Sequence, residues 1–125
     1  MPNLARTLAL LGLALLVACS DEGPVSGPGS LTATLVGPEG ADGAAIVVLV
    51  GEGVGEVSEV GATEVHARRD GSATRVVLVN EEGGALAFRV SVADTTQPPQ
   101  AVIEQVAGDD DELRSVDGYV VEFAR

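Results

Sequence analysis

From residue 30 onward the apolar residues come in short runs separated by Gly, Asp and Pro clusters, the spacing of strands joined by turns. Ser30 to Val36 alternates, with Leu31, Ala33 and Leu35 sharing one face. After the turn residues Gly37 to Gly43, Ala44 to Val50 is continuously apolar and β-branched, which predicts a central strand covered on both faces. A buried helix is the competing reading, but a run this short bounded by glycines is too brief for one. Gly51 to Gly61, with Val54, Val57 and Val60, fits neither period and reads as a loop with one short edge strand.

Arg69-Asp70-Gly71-Ser72 is the clearest turn signal: Asp-Gly can adopt the positive φ angles of a type I′ turn, predicting a hairpin of Thr63 to Arg68 with Ala73 to Asn80. In the second of these strands Val76 and Leu78 oppose Arg75, Val77 and Val79, so both faces are largely apolar. Glu81 to Gly84 reads as a turn. Ala85 to Ala93 then puts Leu86, Phe88, Val90 and Val92 on one face, with Arg89 and Ser91 on the other. Consecutive prolines make Asp94 to Pro99 a loop. Ala101 to Ala107 and Tyr119 to Ala124 supply the last strands, with Tyr119, Val121 and Phe123 facing in. About seven or eight strands without a convincing helix predict an all-β fold, a single antiparallel β-sandwich of Ig-like or jelly-roll-like kind.

The first residues follow a different pattern. Arg6 and the terminal amine precede the apolar run Leu8 to Ala18, and Ser20-Asp21-Glu22-Gly23-Pro24 ends it well short of the about 20 residues needed to cross a bilayer. That is the layout of a signal peptide. Leu16-Val17-Ala18-Cys19 resembles the lipobox of bacterial lipoproteins and holds the single cysteine. The resemblance implies a signal peptide over 1–18 cleaved between Ala18 and Cys19, a diacylglyceryl thioether on Cys19 and commonly a third, amide-linked acyl chain. Two or three chains, at about 0.8 kcal/mol per buried methylene, make a stable membrane anchor. The alternative is an ordinary secretory signal with an incidental cysteine. Ser20 stands where an inner-membrane retention signal of the enterobacterial kind places Asp, which leans toward the outer membrane. Residues 19–29, polar and punctuated by Gly and Pro, read as a tether, and about ten flexible residues hold the 30–125 domain roughly 15 to 20 Å from the membrane.

Charge narrows the choice of partner. Seven arginines and no lysine face nineteen acids, a formal charge of −12, and such a surface repels phosphate backbones and excludes nucleic acid. With Cys19 lipidated no disulfide forms, so the core alone holds the domain together.

Candidate chemistry is sparse. His66, among Glu64, Arg68 and Asp70, is the only histidine and the only candidate general base; on the outward face of a hairpin strand it reads as a solvated side chain. There is no nucleophile elbow, zinc-protease motif or paired-cysteine metal motif, so no catalytic residue is assigned. Sugar platforms are missing too: with no Trp, and with Phe88, Tyr119 and Phe123 at core positions, carbohydrate binding is disfavoured. The Gly108-Asp109-Asp110-Asp111-Glu112 run with Asp117-Gly118 concentrates hard-cation ligands. Calcium takes about six to eight oxygens, which makes Asp109, Asp111, Glu112 and Asp117 its weak candidates. The EF-hand pattern fails at Leu113, and a solvated acidic loop without any cofactor is the favoured reading.

From Ala44 to Val92 the chain also resembles the middle of cohesin-type sandwich domains, in its apolar strand, Gly-Val loop, hairpin and the core-strand opening Gly84-Ala85-Leu86-Ala87-Phe88-Arg89-Val90, here with shorter spacing than in cohesins. The resemblance implies a jelly-roll-like sandwich used for protein recognition. No surface segment identifies a dockerin partner. These readings together predict a lipid-anchored protein of the bacterial cell envelope whose non-catalytic sandwich recognises or assembles with another envelope protein. A structural surface lipoprotein without a defined ligand, or a small hydrolase, are the alternatives.

Overall fold

The computed structural model describes residues 26–125; the signal peptide, Ala18, Cys19 and most of the tether lie outside the described residues. Nine strands form among them: β1 (Gly29–Val36), β2 (Asp42–Val50), β3 (Val54–Glu59), β4 (Glu64–Asp70), β5 (Ala73–Gly84), β6 (Ala87–Val92), β7 (Gln100–Gly108), β8 (Leu113–Arg114) and β9 (Val120–Ala124). They make a four-stranded sheet in the order β3-β6-β1-β9 and a five-stranded sheet in the order β4-β5-β2-β7-β8. Every pairing is antiparallel. The predicted all-β sandwich is what forms.

Alternation along the strands builds the core. Leu31, Ala33 and Leu35 of β1 meet Phe88 and Val90 of β6 in one sheet, and across the sandwich Ala45, Val47 and Leu49 of β2 line up with Leu78 and Val76 of β5. Phe88, Leu49, Leu78, Leu86, Val47, Val76, Val90 and Val106 are the largest fully buried side chains, each worth about 1.5 to 3 kcal/mol of burial.

The structure corrects several expectations. Ala44 to Val50 is central, as predicted, but only its inner face is covered: Ile46 and Val48 on the outer face are half-buried and Val50 is exposed. The β4–β5 hairpin turns one pair later than the Asp-Gly signal placed it, with Asp70 opposite Ala73 and Gly71-Ser72 at the bend. Gly71 has a positive φ of 64° and neither Asp70 nor Ser72 does, so the turn follows the type II′ pattern, glycine first, instead of I′. Glu81 to Gly84 is no turn. It prolongs β5 to pair Gly84 with Asp42 across a bulge. Gly51 to Gly61 yields β3 as an edge strand, and the short β8 went unpredicted.

The two outer faces differ in kind. Over the four-stranded sheet the outward residues are mostly polar, including Thr32 opposite Arg89, Thr34 opposite Glu122 and Ser58 beside Arg89, with the exposed pair Val36 and Val120 at one end. Over the five-stranded sheet the centre of the face is apolar, with Ala44 opposite Val79, Ile46 opposite Val77, Val48 opposite Val102, and Ala107 opposite Leu113, while Glu64, His66, Arg68 and Asp70 make the β4 edge polar.

Candidate functional site

Where the edges of the two sheets meet, the sandwich is closed on one side and open on the other. On the closed side Arg69 of β4 reaches across to donate to the carbonyl oxygens of Val54 and Glu52, at the start of β3. On the open side β9 is the edge of one sheet, and β8 covers β7 only at Val106 and Ala107. Gln100 to Gln105 of β7 and Val120 to Ala124 of β9 therefore face each other as free strand edges. The core residues Ala101, Ile103, Val121 and Phe123 are only partly buried there. A groove of about 570 Å³ runs between them, walled by Pro99, Ala101, Val102 and Ile103 on one side and by Val116, Tyr119, Val120, Val121 and Phe123 on the other. Val102, Val116 and Val120 are among the exposed large hydrophobic residues of the domain.

A buried polar cluster fixes the second wall. The Tyr119 hydroxyl donates to Asp42 Oδ1 at 2.9 Å, and Arg114 Nη1 donates to the same oxygen and to the Ala41 carbonyl, both at 2.8 Å. Glu39 approaches Arg114 Nε at 3.4 Å. Asp42 is almost fully buried, yet no buried side-chain nitrogen or oxygen among the described residues lacks a partner, so the desolvated carboxylate is matched by charge-assisted hydrogen bonds. Burial is the first cause that pushes the Tyr119 phenol above its ordinary pKa, with the neighbouring Asp42 adding to it and Arg114 opposing. Hydrogen bonding with Tyr119, and after it with Asp42, raises the Arg114 guanidinium. Gly37 completes the arrangement: a Cβ there would lie 1.9 Å from Tyr119 Cε1, so the ring lies flat against bare backbone.

Sequence reading missed this cluster. Asp42 sits in a Gly-rich stretch that reads as a turn, and its partners lie 72 and 77 residues away. The one available signal was Tyr119, the single tyrosine, whose hydroxyl needs a partner once the ring is buried.

The residues singled out for chemistry are placed as follows. His66 Nε2 and Glu64 Oε1 are 2.9 Å apart, with both side chains more than half exposed on the outer face of β4. Glu64 lines a shallow recess with Ala62, Val79, Asn80, Glu81 and Glu82, and His66 is not part of its lining. The acidic loop is a tight turn: Gly108 N–H donates to the Glu112 carbonyl, Asp111 N–H to that of Gly108, and Glu112 N–H to Asp110 Oδ1. Asp111 adopts a left-handed φ of 65° there. Asp109, Asp111 and Glu112 are all exposed, and Asp117 sits on a separate turn beside Ser115. No group of three such side chains converges to hold a metal ion among the described residues. Comparison with protein-family models, curated proteins and solved structures finds no match to this chain.

Proposed function

We propose that this is a lipid-anchored protein of the bacterial cell envelope, attached through Cys19, with a non-catalytic sandwich that recognises an extended segment of another envelope protein. The observation that carries the reading is the open groove between β7 and β9. Two free strand edges there offer unpaired backbone groups, and an apolar floor of Ile103, Val121 and Phe123 lies between them. A strand added to such an edge gains backbone hydrogen bonds along its length, and its alternate side chains enter the groove. The chain carries a net charge of −12, so the complementary segment alternates apolar residues and carries basic flanks. Calcium and other cofactors play no part in this reading.

Two measurements test it. Acyl-label incorporation followed by mass spectrometry should show lipid on the full chain and none on Cys19→Ser, and equal labelling would refute the anchor. A photo-reactive side chain placed at Val120 in the native envelope should give a discrete protein adduct. The same group at Ser58, on the polar face of the four-stranded sheet, should give none. Absence of an adduct at Val120 would refute recognition at the groove.

A further inference from the structure

The groove leaves unexplained the second apolar surface of the domain, the outer face of the five-stranded sheet. An antiparallel sheet with one solvated face ordinarily carries polar residues on that face, and the four-stranded sheet of this same chain follows that rule except at Val36 and Val120. The five-stranded sheet does not: its three inner strands present Ile46, Val48, Val77, Val79 and Val102 outward in adjoining pairs.

The charges on this face are arranged unevenly about its central strand. Arg75 of β5 and Glu104 of β7 flank β2 and reach over it to form an ion pair at 3.1 Å. Arg68 of β4 stands directly opposite Arg75, and like charges in that position repel. In this row Arg68 and Arg75 stand on the β4–β5 side and Glu104 on the β7 side, while Glu64, His66 and Asp70 of β4 lie on the same face outside the row. Glu104 is brought to this face by a register shift in β7 between the partners of Ile46 and Val47.

We propose that the outer face of the five-stranded sheet packs on the same face of a second copy of this chain, about a two-fold axis that runs along β2. That operation exchanges the two sides of the sheet. The β4–β5 half of each copy lies over the β7–β8 half of the other, so Arg75 of each copy meets Glu104 of its partner, and the two Arg75–Glu104 pairs merge into an alternating ring of four charges. A two-fold axis perpendicular to the strands would instead stack arginine side over arginine side. Area also permits it: five strands about 4.8 Å apart and about 20 Å long give a face whose two-fold packing removes on the order of 1,000 Å² from solvent. That is about the smallest area a specific interface uses.

This contact shares Val102 with the wall of the β7–β9 groove but uses none of its floor, and neither Arg75 nor Glu104 lines the groove, so it can fail while groove recognition stands. Its test uses the full lipidated chain, carrying two different tags, co-expressed and extracted in mild detergent beside an unrelated lipoprotein as the control for shared micelles. Wild-type copies should capture each other. Arg75→Glu with itself makes the ring all acidic and Glu104→Arg with itself makes it all basic, and each should lose capture by at least tenfold. Co-expressing Arg75→Glu with Glu104→Arg should restore it, because acid then meets base across the axis; recovery also shows that both variants fold. As a second measurement, Val48→Cys lies on the axis and a short bis-maleimide should link two copies through it. Lack of wild-type capture, lack of recovery in the mixed pair, or no Val48→Cys cross-link would each overturn the proposal.

Discussion

The hydroxyl of Tyr119 donates to Asp42 Oδ1 at 2.9 Å, joining residues 77 apart in sequence at the buried end of the sandwich. Through this bond and the two that Arg114 makes nearby, the segment leading into β9 is tied to the start of β2. The groove wall therefore takes its shape from a polar contact behind it.

Asp42→Ala should destabilise the domain more than Tyr119→Phe does, because it takes away the oxygen that both the Tyr119 hydroxyl and Arg114 bond, leaving Arg114 with the Glu39 carboxylate. Tyr119→Phe removes one hydrogen bond to a charged group and should cost about 1.5 to 3 kcal/mol. Urea midpoints rank the two variants. An Asp42→Ala protein as stable as Tyr119→Phe would show that the cluster contributes little beyond packing.

Stability should fall in alkali. The Tyr119 phenol is raised above its ordinary pKa near 10 in the folded state, so the unfolded chain releases this proton first. The contribution is complete below pH 10 and is lost as pH rises through the folded value. With no lysine and one tyrosine in the chain, few other groups titrate in that range. Denaturant midpoints from pH 8 to 11.5 should decline for the wild type and stay flatter for Tyr119→Phe.

Gly37→Ala should be among the costliest single-methyl additions in the domain. Gly37 has no positive φ to explain the glycine, so the whole effect is steric, with the new Cβ meeting the Tyr119 ring. Overpacking of this kind costs about 1 to 3 kcal/mol. Tyr119 fluorescence should report the displaced ring, and Gly37→Ala combined with Tyr119→Ala should cost less than the sum of the two single changes.

Phe88→Ala should cost about 3 to 5 kcal/mol, since the ring is fully buried where β6 meets β1 and β3. Thermal denaturation of residues 26–125 followed by far-ultraviolet circular dichroism checks both this and the independent folding of the domain. An unchanged midpoint would place Phe88 outside the folding core.

Much of the sandwich was legible because its signal is local. Leu31, Ala33 and Leu35, and later Leu86, Phe88, Val90 and Val92, declare their strands by alternation alone, and each set is buried. What escaped depended on distant partners. The extension of β5 through Glu81 and Glu82 reads as a turn until Asp42 is known to pair with Gly84. Two residues of β8 carry no period at all. The apolar outer face of β2 is visible in sequence and reads as covered, but the run cannot say whether its cover lies within the same domain. Within the described residues, it does not. The β7–β9 groove was illegible for the same reason: an open edge is a property of strand order, which alternation does not encode.

The pairing of β1 with both β6 and β9 has a consequence for how the protein is made. Ala33 and Thr34 cannot reach both of their neighbours until residues 120–124 are present, and contacts spanning nearly the whole domain form slowly because a long loop must close first. Chain growth from the amino-terminal end therefore leaves one edge of β1 open after β6 has already paired with the other, and the four-stranded sheet is the last part of the sandwich to be completed.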